Sequence, residues 1–355
     1  MRLGLDTFPA LTHAPGVGRY ARELARAIAE LPDDPELPRP ELRRLELGRG
    51  RPVLPVSTLG AAAEARTVRL PIPARLGDAL ASLGLTGERL LGGVDVFHQV
   101  RLHGPKVRNV PQTYAVSEWC APGREEAFAR DLERFDALFV FSEHYRERLV
   151  TELGFAPDSI HLVPVGADHW LRDLEAGRAP TPSERHRVLV LGAPLPGREH
   201  VAILEACERL AAGGLELELD FASTRVDSAH ALRARVDGSS LGERVRWWAP
   251  REAELPSLVS GSRLLVHLAR DEGTAVTPAE ASVLGVRCLL SPLPAFRETL
   301  EGIAQWYAPG EDLAAAIERA LAAPVNEAAR EVLTSNATWR ANADASVRVW
   351  RNLVP

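Results

Sequence analysis

The chain has little cysteine, and what it has is scattered. Cys120, Cys207 and Cys288 stand far apart in 355 residues, with no CxxC pair and no Cys/His ligand spacing. That pattern argues against a structural zinc motif and a disulfide framework, and the three are read as small apolar residues. Long apolar runs are missing as well. The longest, such as DALFVF and RVLVLGAPL, fall far below the roughly 20 residues that a bilayer-spanning helix requires. The opening MRLGLDTF lacks the charged start and apolar stretch of a secretory signal, so the cytoplasm is the expected location. There is no surplus of positive charge. A formal net charge of -6 with 25% charged residues gives no general pull toward nucleic acid. No low-complexity tract or internal repeat is visible.

At 355 residues the chain exceeds the size of one hydrophobic core and predicts two domains. Strand and helix patterns alternate along it, and they do so twice. RLGLD reads as a strand and GRYARELARAIAEL as a helix. VDVFHQ, NVPQTYAV and DALFVF read as strands, EHYRERLVTEL as a helix and IHLVPV as a strand. This is the alternation of parallel βαβ units. The proline- and charge-rich stretch RDLEAGRAPTPSERHR, residues 172–187, interrupts it and reads as a linker. A second series then opens with VLVLG and runs through a helix from about His200 to Ala212, LELELDFA, SAHALRARV and RVRWW. The predicted organisation is a Rossmann-like domain over 1–171, a linker over 172–187, a second Rossmann-like domain over 188–325 and a terminal helical segment over 326–355. Within LELELD, Leu215, Leu217 and Leu219 alternate with Glu216 and Glu218, which predicts a peripheral strand with one wet face. Trp339, Ala343, Val347, Trp350 and Val354 recur at helical steps and predict a terminal helix over the interdomain seam.

The most informative local feature is a pair of carboxylates. Glu272 and Glu280 stand eight positions apart in ARDEGTAVTPAEASVLGVRCLL. The preceding SRLLVHLA has strand length, while TPAEASVLG offers Thr277 as an N-cap and Pro278 at the first helical position. Glu280 is therefore expected in the first turn of a helix. Glu272 is expected on the loop at the carboxyl end of a strand, where open α/β sheets place their ligands. A carboxylate that accepts from two neighbouring hydroxyls holds a sugar or ribose well. Two such acceptors at this spacing suit a nucleotide sugar. Their plain alternative is an ordinary helix carboxylate and a surface acid.

Taken together, these segments resemble glycosyltransferase family 4, retaining enzymes of the GT-B fold. EGTAVTPAEASVLG is similar to the family's EGFGLP and LEAMA.G signature and retains Glu272, Gly273, Glu280, Ala281 and Gly285. VFSEHYRERLVTELGFAPDSIHLVPVGAD is similar to the family segment that ends in VIPNGVD, and GVGRY near the start to its glycine loop. The likeness runs from that loop to the terminal helix. It implies two Rossmann-like domains facing each other across a cleft, with the first on the acceptor side and the second holding the donor.

The resemblance also implies roles. GAPLPGREHVAILEACERL is similar to GTLEPRKNLPRLLEAFARL and places Arg198 on the family's lysine. There a cation beside a helix start neutralises the leaving diphosphate. Glu280 falls on the glutamate that accepts from the nucleotide ribose, and Glu272 on the one beside the donor sugar, a positioning and charge-stabilising group. Backbone amides of Gly273, Thr274, Ala275 and Val276 would then border the sugar. Gly16 and Gly18 would let backbone approach the ligands closely. Three departures stand out. VPQTYAV, anchored on Thr113, carries Ala115 and Val116 where the family has a His-Asp pair, leaving Tyr114 as the only nearby polar ring of a sugar pocket. GFGLP has become GTAVT. Gly197 replaces the arginine that accompanies the phosphate-binding lysine.

The function implied is transfer of a hexose-type sugar from a nucleoside diphosphate sugar to a sugar or lipid-linked acceptor, in polysaccharide, lipopolysaccharide or glycolipid synthesis. No cofactor is implied beyond the donor. The chain has no DxD, and Arg198 with helix amides takes the place of a metal. Residues 66–91 mix arginines with apolar residues and are a candidate for peripheral membrane contact, with core packing as the other explanation of the leucines. The alternative reading is a GT-B homologue without transfer activity that acts as a partner or regulatory subunit. A related nucleotide-sugar 2-epimerase should carry a carboxylate set in the first domain that is not evident in this sequence.

Overall fold

The structure is a computed structural model that describes residues 1–12, 16–72, 76–175, 186–195, 197–223 and 230–354. It divides into two compact units, Met1–Gly166 with Thr338–Pro355, and Ala167–Ala337.

The first unit runs β1 (Arg2–Asp6), α1 (Phe8–Thr12), α2 (Val17–Glu30), β2 (Glu41–Leu47), β3 (Arg66–Leu70), α3 (Gly77–Ser82), α4 (Gly87–Leu90), β4 (Val96–Gln99), β5 (Gln112–Ala115), α5 (Glu125–Leu132), β6 (Ala137–Val140), α6 (Glu143–Thr151) and β7 (Ile160–Leu162). Its strands form one parallel sheet in the order β3-β2-β1-β4-β5-β6-β7. The second unit runs α7 (His169–Glu175), β8 (His186–Leu191), α8 (His200–Ala212), β9 (Leu217–Ala222), α9 (His230–Asp237), β10 (Val245–Trp248), α10 (Leu255–Ser260), β11 (Leu264–His267), α11 (Val276–Val283), β12 (Arg287–Leu290), α12 (Pro294–Leu300), β13 (Gln305–Trp306), α13 (Leu313–Ala322) and α14 (Glu327–Asn336). Its sheet is parallel in the order β10-β9-β8-β11-β12-β13. The chain closes with α15 (Trp339–Leu353), which belongs to the first unit.

In each sheet the order reverses beside the first strand, at β1/β4 and at β8/β11. Such a reversal opens a crevice beyond the carboxyl ends of the strands. Apolar residues fill both faces of the inner strands because helices cover both faces. On β11, Leu264 and Val266 pack toward one core, and Leu265 toward the other with Phe296 of α12.

Several boundaries differ from the sequence reading. The division falls at 166/167 rather than 171/172, because α7 packs Trp170, 1% exposed, into the second unit's core. Of the expected linker, 176–185 lies outside the described residues, and 186–187 begin β8. Strand β9 is not peripheral: it pairs with β8 and β10, and Glu218 is accommodated by Arg187 and Arg246 at 3.4 and 2.8 Å. Val354 caps α15 from outside the helix. Residues 66–91 hold the edge strand β3 with α3 and α4, and expose Leu76, Leu83 and Leu85. Among the described residues, no helix is long and apolar enough to cross a membrane.

The terminal helix is anchored by a buried chain of polar contacts. Trp350 Nε1 donates to Thr113 Oγ1 at 2.9 Å, Thr113 Oγ1 lies 2.8 Å from His98 Nδ1, and His98 Nε2 lies 3.1 Å from the Tyr20 hydroxyl. Burial drives His98 down to about 3, so it stays neutral.

Candidate functional site

Three side chains of the second unit converge at the carboxyl ends of β8 and β11. Arg198 sits in the loop between β8 and α8, two residues before the helix begins. Gly197 precedes it at φ 86°, where an added Cβ would lie 3.0 Å from Arg270 Cδ. The positive φ favours glycine at the position where the family has an arginine, and the exposed Arg270 side chain is the neighbour an added Cβ would meet. Glu199 follows at φ 53°, the only non-glycine residue with positive φ among the described residues, and caps α8. A strained, tightly turned loop thus sets a cation against a helix start, where N–H groups point outward.

Arg198 is already engaged. Its Nη2 pairs with Glu272 Oε1, and its Nη1 lies 2.7 Å from His267 Nε2. His267 Nε2 is also 3.1 and 3.2 Å from the two Glu272 oxygens. His267 closes β11 on the face shared by Leu265 and is 5% exposed, with its ring beside Phe296. Burial raises the Glu272 carboxyl, but His267 and Arg198 outweigh that and hold it below the usual carboxylate range. Nearby, burial pushes His200, the first residue of α8, down to about 4. An open groove of about 430 Å³ borders this loop, lined in part by Gly197, Glu199, Arg270, Ser291 and Tyr307.

The remaining candidates are distributed as follows. Gly273 and Ala275 are buried, Thr274 and Val276 half-buried, and the Thr274 hydroxyl is buried without a hydrogen-bond partner. Helix α11 starts at Val276 with Ala275 as N-cap, so Thr277 is not the cap and Glu280 lies in the second turn. Pro278 still fits, because the first-turn N–H groups have no intrahelical acceptor. Glu280 is wholly buried and pairs with His169 of α7 at 3.3 Å. Arg198 and Glu272 are thus brought into contact, while Glu280 is sequestered in the interior.

Tyr114 is a buried core residue: it is 7% exposed, and its ring stacks on Phe135 at 5.1 Å. Strand alternation explains this, because Tyr114 points to the face opposite Thr113. Gly16 and Gly18 belong to the first unit. Gly16, at φ 59° and ψ -124°, is the N-cap of α2, a conformation reserved for glycine, whereas Gly18 is buried within that helix. The loop before Gly16, residues 13–15, lies outside the described residues. His267 went unnoticed in the sequence. Its signal was a lone imidazole ending the apolar run LLVH, polar where the strand meets the crevice. Among the described residues no group of three or more His, Cys, Asp and Glu gathers as a metal site.

Along its whole length the chain is similar to solved GT-B structures. A sucrose-phosphate synthase from Thermosynechococcus elongatus matches with a TM-score of 0.75 at 18% identity, covering 99% of each chain. A glycosyltransferase from Rickettsia africae matches with 0.70 at 12%, covering 99% of this chain and 98% of that one. Anabaena HepE, solved in complex with UDP-glucose, matches with 0.62 at 14%, covering 99% and 94%. No protein-family model matches the sequence, and no curated protein matches it. The fold these likenesses define is GT-B: two Rossmann-like α/β units in one chain.

Proposed function

We propose that the chain is a retaining glycosyltransferase, close in kind to family 4, that takes a nucleoside diphosphate sugar as donor. The observation that carries this reading is the Arg198–His267–Glu272 cluster beside the start of α8, at the strand-order reversal of the second unit. A diphosphate arriving there meets a guanidinium and outward N–H groups, which stabilise the charge that develops as it leaves. Glu272 then faces the sugar as a positioning and charge-stabilising group. No protein nucleophile is assigned. The anomeric carbon–oxygen bond to the diphosphate breaks, and a bond to the acceptor oxygen forms on the same face. The acceptor proton passes to the departing phosphate oxygen. Because Arg198 supplies the positive charge and the chain has no DxD, the transfer is proposed to be independent of metal.

UDP-glucose is the first donor to try, since HepE binds it, and a hexose from a UDP- or GDP-sugar is the proposed class. The ribose contact is assigned to Glu280, which must turn from His169 to make it. Amides of 273–276 border the sugar, and Gly16 and Gly18 supply the loop of the first, acceptor-side unit. A sugar or lipid-linked sugar is the proposed acceptor, and the exposed leucines near residues 76–85 with the arginines of β3 are the proposed membrane-facing patch of a cytoplasmic enzyme.

A second reading, a homologue that binds nucleotide without transferring sugar, is favoured by one observation: Glu280 is buried against His169. Calorimetric titration with UDP and GDP, followed by hydrolysis assays on a panel of nucleotide sugars, separates the two. Binding with turnover supports the transferase, and binding without turnover of any donor supports the inactive homologue. No binding overturns both.

A further inference from the structure

One ring nitrogen in the second unit is asked to do two incompatible things. His267 Nε2 lies 2.7 Å from an Arg198 nitrogen, which can only donate, and 3.1 and 3.2 Å from the Glu272 oxygens, which, ionised, can only accept. With a proton on Nε2 the ring satisfies Glu272 and repels Arg198. With a lone pair there it accepts from Arg198 and repels Glu272. The three groups therefore form a two-state element whose balance depends on where Arg198 goes.

We propose that His267 is a positioning residue that takes over Glu272 when Arg198 swings to the donor diphosphate, binding a proton from solvent as it does so. This rests on the donor-site reading above. In the free protein Nε2 is shared between Arg198 at 2.7 Å and Glu272 at 3.1 Å, so the ring cannot serve both fully while Arg198 stays in place. Once the guanidinium turns to the diphosphate, Glu272 loses its cation inside a mostly buried site. Proton uptake at Nε2 then restores the charge balance and holds the carboxylate in place by a charge-assisted hydrogen bond. No covalent bond changes, and the one proton comes from bulk solvent.

The other groups around the ring do not offer this service. His200, facing it from the start of α8, is held neutral by burial, down to about 4. Helix α12 presents Phe296. Helix α13 turns apolar residues, Leu313, Ala316 and Ile317 among them, toward the core. On α11 the titratable residue is Glu280, paired with His169. Arg270 and Asp271 on the Glu272 loop are exposed to solvent. Glu272 and Arg198 are the charges that His267 reads.

The test is titration calorimetry with UDP-glucose, a diphosphate diester that has no group of its own titrating near neutral pH, in buffers of differing ionisation enthalpy. The wild type is expected to take up a proton, up to about one per donor bound, and its affinity to rise as pH falls by at most about tenfold per unit. His267→Gln, which keeps a donor beside Glu272 but cannot titrate, should bind with no uptake and a flat pH profile. His267→Asn serves as the second variant if the first fails to fold. Binding by the wild type without proton uptake, or unchanged uptake in a folded variant, overturns the proposal while leaving the donor site standing. If neither UDP-glucose nor GDP-mannose binds the wild type, the donor-site reading falls and this inference with it.

Discussion

Replacing Glu280 separates its buried pairing with His169 from its proposed ribose contact. Its carboxylate is 0% exposed, and the His169 side chain that it meets at 3.3 Å is 2% exposed. Removing one member of a buried pair costs about 3–5 kcal/mol, because the partner's desolvation is no longer offset. For a unit of this size that corresponds to a fall in Tm of roughly 6–20 °C. Glu280→Ala should therefore melt the second unit early, as followed by calorimetry. Glu280→Gln preserves shape and hydrogen-bonding capacity and should lose much less. At a temperature where it is folded, Glu280→Gln should bind nucleoside more weakly by about 1.5–3 kcal/mol, roughly 10- to 150-fold, the range for a hydrogen bond to a charged group. If Glu280→Ala melts with the wild type, the buried pair contributes nothing to the fold. If Glu280→Gln binds uridine and UDP as the wild type does, Glu280 is structural only, and the ribose assignment fails.

Arg198→Ala should reduce affinity for UDP far more than for uridine; equal losses in isothermal titration would show that Arg198 does not clamp the diphosphate. Thr113→Val removes the hydroxyl shared by Trp350 Nε1 and His98 Nδ1 and should destabilise the first unit by roughly 2–4 kcal/mol, about 1–2 for each buried group left unpaired. A urea midpoint within experimental error of wild type contradicts that. His98 takes its proton only near pH 3 when folded but near 6.5 when unfolded. The unfolded chain thus binds more protons in this window, and stability is lost as pH falls from about 6.5 toward 3, by at most about 1.4 kcal/mol per unit. His98→Gln should flatten that part of the profile, and an unchanged slope refutes the assignment.

What the sequence made legible was whatever periodicity and turn chemistry carry. DALFVF and VLVLG are almost wholly apolar and VDVFHQ carries an apolar centre, because both sides of their sheets are covered, and they read as strands at once. ELRRLEL did not, although it forms β2, because Arg44 and Glu46 are buried there at 3% and 5% exposure. Arg44 is held by Thr67 Oγ1 at 2.6 Å on the neighbouring β3, a partner distant in sequence. The same holds for LELELD: its glutamate reads as a wet face until two arginines from adjacent strands are placed over it. At the site, Arg198 and Glu272 stood out from their spacing and family likeness. That they pair with each other, and that His267 joins them, depends on two loops 74 residues apart, a relation that a motif cannot encode.

The most direct measurement is a crystal structure of the protein soaked with UDP. The account predicts the β-phosphate within about 3 Å of the Arg198 guanidinium, beside the start of α8, with Glu272 released by Arg198 and held by His267. A diphosphate bound elsewhere, or bound while Arg198 remains on Glu272, would contradict it.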